Sequence, residues 1–585
     1  MRTLLTLAFA ILFVPSALAQ HLSADGATQT FHFFSDQYFD DYFRFNPTAG
    51  TSAGFHDYDA ELEDYSAAST AAQIAWLHTI DKKLAPIDPK ALDAADAADL
   101  QILVNSIHSQ SLSLEVIRNQ EKNPDLYSSG VTNSIFTIME RDYAPANIRL
   151  RSAISREQKV PQVLLEARKN LKNPPRIFTE IALEQIDGDI SFFQNEVPAA
   201  FAVASDTKAQ ADFARTNAAV IAALKEYGAW MKSDLLPHSA GDYKLGADTF
   251  AKKLLYDEMV DVPLDRLLEV AFADLHKNQA DFEHIAKEVD PTKTPSEVLA
   301  ELGSMHPAPD QLLANFQQTF DSLSTFIRQH HIVTIPSSVQ PVLEDTPPFE
   351  RATTFASMDS PGPYETHSTK AYFNVTLPEK DWAAAKAADY MTAFNAGTIL
   401  STSVHEAFPG HYVQFLYSPG FPSKIRKLIN ANTNVEGWAH YCEQMMLDAG
   451  YAAAPPEATP EQLKQAHLIR LGQLQDALLR DARFVVAIKL HTGQFTFDQA
   501  VDFFVKEGYQ SRETGLVETK RGTSDATYLY YTVGKLQIMK LREDLKKKQG
   551  AAFSLQQFHD TFLKQGPAPI KIIRKAMLHD DSPTL

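Results

Sequence analysis

The segment STSVHEAFPGHYVQF (401–415) holds residues that could do chemistry: His405 followed at once by Glu406, and His411 six positions on. Neutral imidazoles are favoured nitrogen ligands for zinc, and a carboxylate beside one of them can act as base toward a water activated by the ion. In the helical HExxH pattern the histidines are four residues apart, so about 400° of rotation leaves them within about 40° of one another. A separation of six gives about 600°, which sets the side chains ~120° apart and about 9 Å along the axis. That is too far for one ion held ~2.1 Å from each ring. A regular helix would therefore exclude shared ligation. Pro409 and Gly410 supply a distortion, because Pro409 has no N–H for the His405 carbonyl and its ring collides with it, while Gly410 accepts unusual backbone angles. A bulge or break there re-aims His411 toward the ion; otherwise the two histidines are unrelated residues at a helix end.

Downstream, TNVEGWAHYCEQMM offers Glu436 at the start of an amphipathic helix, with Asn432 or Asn434 as its N-cap. In HExxH enzymes whose third ligand is a glutamate, that residue comes from the helix after the motif, so Glu436 is the natural third ligand. Two histidines, a carboxylate and a water make a catalytic rather than a closed structural zinc site. His440 and Glu443 follow on the same face. They are either outer partners that orient ligands by hydrogen bonding or solvated polar positions. Trp438, Cys442 and Met445 read as packing.

Taken together, His405-Glu406-Ala407-Phe408-Pro409-Gly410-His411 and Glu436-Gly437-Trp438-Ala439 resemble the bacterial domain-of-unknown-function family 885, which looks related to the gluzincin metallopeptidases. The resemblance begins near Phe31 and takes in Asn46-Pro47, Gly54-Phe55-His56-Asp57-Tyr58, Pro361-Gly362 and Tyr372-Phe373-Asn374. It ends near Leu563-Lys564-Gln565-Gly566. It implies a mainly α, zincin-like helical fold with a deep channel, Zn2+ held by His405, His411 and Glu436, and Glu406 as catalytic base. It also implies tyrosines on a late helix, matched by RGTSDATYLYYTVGKLQIMKLR (521–542) through Tyr531 and Gly534. The chain departs from the family at Ala526, where many members have Pro, and at Ala487, where they carry an acidic residue before His491. From that neighbourhood only His491 is carried forward, as an outer or substrate-side residue.

A tetrahedral intermediate needs a donor for its oxyanion, and a tyrosine hydroxyl is the type of group that can reach in from a channel wall. Tyr531 is the first candidate and Tyr528 the second; the alternative is ring packing with Tyr530. Arg521 offers a bidentate contact to a substrate carboxylate, or is an exposed helix-end charge.

The elements that must position these residues are mostly helices. Apolar residues recur at three- and four-residue spacing over 206–232, 258–288, 459–491 and 526–548, with proline clustered between such stretches. The pattern breaks between His331 and Leu377, where HIVTIP, RATTFAS and KAYFNVTL read as a small sheet placed just before the metal-binding helix. Residues 370–377 either expose a strand edge on which an extended peptide can lie or merely close that sheet. The coarse division is a leader at 1–20, a helical part at 21–330 and a catalytic part at 331–585, within one continuous family domain.

Composition narrows the function classes. Arg2, an apolar run from Leu4 to Val14 and Ala17-Leu18-Ala19 form a secretory signal peptide cut near Ala19, which predicts an exported, periplasmic or secreted protein with no stable membrane span. The formal charge is −19, or −20 once Arg2 is lost, which repels phosphate backbones and disfavours nucleic-acid partners. Cys442 is the only cysteine, so no intramolecular disulfide forms and a packed core must carry stability. The expectation is an exported zinc hydrolase of the metallopeptidase type, acting on a peptide or small amide. Two alternatives stand: a non-catalytic exported metal- or peptide-binding protein, and a zinc hydrolase of esters or non-peptide amides. Metal binding alone needs no base beside the first ligand, so Glu406 weighs against the binder. The sequence carries no signal of oligomeric state.

Overall fold

The computed structural model describes residues 24–346, 351, 355–379 and 381–585, so the leader expected at 1–20 lies outside the described residues. Helix makes up 71% of the structure and strand 3%, so helices packed on helices organise it, as the apolar periodicity predicts. Among the described residues no helix is long and apolar enough to cross a membrane.

The Leu312–Gln329 helix illustrates how sequence becomes packing. Leu312, Phe316, Phe320, Leu323 and Ile327 recur every three or four residues and are all buried, forming one apolar face. That face meets the sheet through Phe373, whose ring lies 5.2 Å from Phe316 and 5.0 Å from Phe320. Phe320 also contacts Phe408 of the histidine segment at 5.5 Å. Burying each such ring is worth roughly 1.5–3 kcal/mol, so one helix ties the sheet and the histidine segment into a common core. Residues on both sides of position 330 share that core: Phe31, Leu77 and Leu103 belong to it together with Val404, Trp438 and Ile573. A separate apolar cluster is built from the 62–235 region around Tyr127, Phe192 and Tyr227.

The sheet has three strands, β1 (Val342–Asp345), β2 (Ala356–Asp359) and β3 (Tyr372–Val375), in the order β1-β3-β2. β1 runs parallel to β3 with Val342 opposite Tyr372, and β2 runs antiparallel with Asp359 opposite Tyr372. This corrects the reading of 370–377 as an exposed edge, since β3 is the central strand. The HIVTIP segment is not a strand either, because side chains have claimed its backbone groups. The Ile332 carbonyl bonds His559 Nδ1, the Thr334 N–H donates to Asp560, and the Thr334 carbonyl accepts from Tyr417. Of RATTFAS only the end reaches β2, with 352–354 outside the described residues. β1 is a strand that the sequence reading did not name.

Helix boundaries shift in two places. The stretch 258–288 is two elements, Ala247–Glu258 ending at Met259 in the left-handed region (φ 53°) and Leu264–Val289 starting after Pro263. A residue before proline is disfavoured in helical geometry, which accounts for the interruption. The late tyrosine helix runs over Tyr530–Gln549, leaving Tyr528 in the turn before it.

Two glycines set the crossing that matters most for the site. The Asn432–Asp448 helix and the Tyr530–Gln549 helix touch backbone to backbone at Gly437 and Gly534. A Cβ on Gly534 would lie 1.9 Å from the Thr433 carbonyl oxygen, and one on Gly437 would lie 2.5 Å from Gly534 Cα. Gly534→Ala therefore forces the helices apart and should cost about 1–3 kcal/mol, seen as a lowered thermal midpoint. Gly420→Ala, at an exposed position with open space around it, should leave the midpoint unchanged. Equal midpoints for the two variants would contradict this packing.

Candidate metal centre

The helix that begins at Ala396 cannot stay regular through Pro409. It widens into a π-type turn over Ser403–Ala407, where the Phe408 N–H donates to the Ser403 carbonyl at 2.9 Å and the Gly410 N–H to the Val404 carbonyl at 3.0 Å. The Phe408–Pro409 peptide is cis. A Cβ on Gly410 would lie 1.8 Å from the His405 carbonyl oxygen and 2.4 Å from that of Val404, so only glycine fits this approach. Trp438 donates its Nε1–H to the Pro409 carbonyl at 2.9 Å, so a side chain read from sequence as packing also pins the bend. A new helix starts at His411. The two imidazole rings end 4.9 Å apart and nearly perpendicular, at 86°.

Glu436 comes from the first turns of the Asn432–Asp448 helix. The cap of that helix differs from expectation: Ala431 occupies the N-cap position, and neither Asn432 nor Asn434 caps it. Glu258, from a different helix, accepts the N–H groups of Asn432 (3.2 Å) and Thr433 (2.8 Å) and the Thr433 hydroxyl (2.7 Å). Burial nevertheless pushes the Glu258 carboxyl up to about 7. Asn434 instead donates to the Gly566 and Ala568 carbonyls and accepts from Gln414, bracing the helix that His411 begins. A cap supplied from so far back in the chain leaves no local signal.

His405, His411 and Glu436 form the one group among the described residues in which three such side chains could hold a metal ion, with ligand atoms all within 4.8 Å of one another. Glu436 Oε2 lies 3.3 Å from His405 Nε2 and 3.5 Å from His411 Nε2. A tetrahedral ion with bonds of ~2.1 Å separates its ligands by about 3.4 Å, so these spacings fit zinc. Among the described residues His411 Nδ1 and Glu436 Oε2 are buried without hydrogen-bond partners, a cost that an ion at the cluster would relieve for Glu436. Burial disfavours a charged His405, yet the neighbouring carboxylates of Glu436 and Glu443 outweigh it and hold the imidazole up at about 10. Burial likewise disfavours a charged Glu436, and the two histidines hold it well below the usual carboxylate range. The pocket favours positive charge at its centre.

Glu443 sits behind His405. Its Oε1 lies 2.7 Å from His405 Nδ1 and 3.1 Å from Arg480, and its Oε2 lies 3.0 Å from His440 Nδ1. Burial opposes its charge, but Arg480, His440 and His405 keep it ionised. An ionised carboxylate only accepts, so His405 Nδ1 carries a proton toward Glu443, and an ion at the cluster would displace the proton on Nε2 and take that nitrogen's lone pair. His440 is fully buried and is held down to about 3 by that burial, so it stays neutral as the second donor to Glu443. Arg480 was missed from sequence; the detectable signal is a run of charges, Asp476, Arg480, Asp481 and Arg483, set among the apolar residues of the Pro460–His491 helix.

Glu406 is half-buried within the π-type turn, beside His405 in sequence. Tyr531 lies with its ring 6.3 Å from that of His405, and its hydroxyl accepts from Arg521 Nη2 at 3.3 Å, leaving its own proton to donate. Tyr528 is not brought to this wall: it is fully buried, near Arg483 at 5.9 Å, with its hydroxyl unpartnered among the described residues. His491 also lies in packing, with Nε2 on the Gly522 carbonyl at 2.7 Å and its ring stacked on Phe250. Glu443→Gln keeps the shape but weakens the grip on His405, so zinc affinity by chelator competition should fall about 10–100-fold. Unchanged affinity would contradict the orienting role.

Two solved structures share this architecture over nearly the whole chain. One, described as a "putative lipoprotein of unknown function" from Shewanella oneidensis, superposes with a TM-score of 0.77 at 26% identity, covering 94% of this chain and 99% of its own. The other, described as a "putative lipoprotein" from Colwellia psychrerythraea, gives 0.77 at 17% identity over 95% and 99%, a likeness of fold alone. No curated protein matches the sequence. Residues 47–577 match the family model described as bacterial protein of unknown function (DUF885), and the chain belongs to that family.

Proposed function

We propose that this protein is an exported zinc-dependent hydrolase of the metallopeptidase type, related to the gluzincins and working in a channel that opens on the His405–His411–Glu436 cluster. The observation that carries the reading is the set of three donor atoms within 4.8 Å of one another, with Glu436 Oε2 at 3.3 and 3.5 Å from the two imidazole nitrogens, next to a carboxylate, Glu406, that takes no part in that set. When bound, zinc supplies Lewis acidity toward a carbonyl and makes water a nucleophile near neutral pH. The chain's own groups do the rest. His405, His411 and Glu436 hold the ion in a site that keeps some solvent access, with Glu436 23% exposed. Glu443 fixes the His405 tautomer. Glu406 takes a proton from the attacking water and returns it to the leaving amine, so no net proton is consumed by the residue. The Tyr531 hydroxyl donates to the oxyanion that develops on the carbonyl oxygen.

Export is supported by the leader at 1–20 and by the description of the two structural neighbours as lipoproteins. The word lipoprotein describes those two proteins; in this sequence the single cysteine, Cys442, is fully buried in the core.

The test is Glu406→Gln on the purified mature protein, with metal content and peptide cleavage measured together. Zinc should remain at one per chain while turnover falls about 10²–10⁴-fold. Undiminished turnover would overturn the role of Glu406, and zinc-loaded wild type that cleaves no peptide would point to the binding protein instead. His405→Ala should lose the metal as well as the activity.

A further inference from the structure

We propose that Arg521 recognises the free α-carboxylate at a substrate's C-terminus, which makes the protein an exopeptidase that trims peptides from that end; this rests on the hydrolase reading above. Three guanidinium groups surround the Tyr531 ring, those of Arg483, Arg480 and Arg521, at 5.0, 5.6 and 5.8 Å from its centre. Two of them are committed elsewhere. Arg483 is buried and forms a two-pronged pair with Glu518 at 2.6 and 2.7 Å. Arg480 is 14% exposed and bonds Glu443.

Arg521 differs from both. Its side chain is 37% exposed, and its contacts with Asp525, at 3.2 and 3.3 Å, both fall on a single carboxylate oxygen. Nη2 further donates to the hydroxyls of Tyr530 (3.2 Å) and Tyr531 (3.3 Å). Nη1 bonds no protein atom among the described residues, so that end of the planar fork keeps its donors. The two tyrosine hydroxyls aim the guanidinium, and the N–H groups left on Nη1 are charged donors suited to a carboxylate.

The position then selects the substrate. The Tyr531 ring lies 5.8 Å from the Arg521 guanidinium and 6.3 Å from the His405 ring, which puts an anion bound by Arg521 on the same side of the molecule as the metal cluster, within reach of a short peptide end. Within a peptide interior only an occasional Asp or Glu offers a carboxylate there. A free C-terminus offers one on every chain. An arginine serving merely as a charge at a helix end would need neither the tyrosine contacts nor proximity to the metal cluster.

The experiment compares one peptide sequence as the C-terminal acid and as the C-terminal amide, with products located by mass spectrometry, for zinc-loaded wild type, Arg521→Gln and Arg521→Lys. Wild type should trim the acid from its C-terminus and cut the amide at least about ten-fold more slowly, the usual loss when a charged hydrogen bond is withdrawn. Arg521→Gln should erase that preference chiefly through KM, with zinc content and thermal midpoint near wild type, and Arg521→Lys should restore part of it. Equal cleavage of acid and amide by wild type, or a variant that slows both alike, would overturn this inference and leave the hydrolase standing. No cleavage of either peptide by zinc-loaded wild type would overturn the hydrolase reading and this inference with it.

Discussion

Two imidazoles six residues apart can face one ion only if the backbone between them abandons helical geometry, and most of the site can be understood as support for that departure. The π-type turn over Ser403–Ala407 and the Gly410 contact with the His405 carbonyl bring the rings within 4.9 Å. An unsupported loop would pay conformational entropy for this arrangement. Here it is held from two sides, by Trp438 bonding the Pro409 carbonyl and by Phe320 packing on Phe408. Trp438 lies two residues after Glu436 on the same helix, so the residue that fixes the bend also registers Glu436 against His405 and His411.

Behind that geometry lies a buried set of ionisable groups, some charged and some neutral, each with a hydrogen-bond or ion-pair partner. Glu443 joins His405, His440 and Arg480, while Asp476 accepts from Ser401 near the start of the metal turn. On the far side of the glutamate helix, Lys535 donates to Asp274, and Asp481 accepts from Asn278 and Thr532. Buried charges cost several kcal/mol each when unpaired, so such sets hold their members in one arrangement. Rigidity of this kind is what a ligand set needs if its atoms are to sit at coordination distance before the ion arrives.

Much of this was legible in the residues. The helical class followed from apolar spacing, and the proline-glycine pair announced that His405 and His411 were not on one regular helix. What was hidden depended on contacts between distant parts of the chain. The cap of the glutamate helix comes from Glu258, and the His331–Pro336 segment is kept out of the sheet by His559, Asp560 and Tyr417. Strand order was equally invisible: an apolar run such as Tyr372–Val375 reads the same at an edge or at the centre, and its neighbours decide. Tyr528 and Tyr531 lie three residues apart, but the helix starts between them, so only Tyr531 faces the ligands.

The central claim is that one zinc ion sits between three named atoms, and a crystal of the zinc-loaded protein measured on both sides of the zinc absorption edge tests it most directly. The account predicts a single strong anomalous peak within about 2.1 Å of His405 Nε2, His411 Nε2 and a Glu436 oxygen. A peak elsewhere in the molecule, or none at this cluster under stoichiometric zinc, would contradict it.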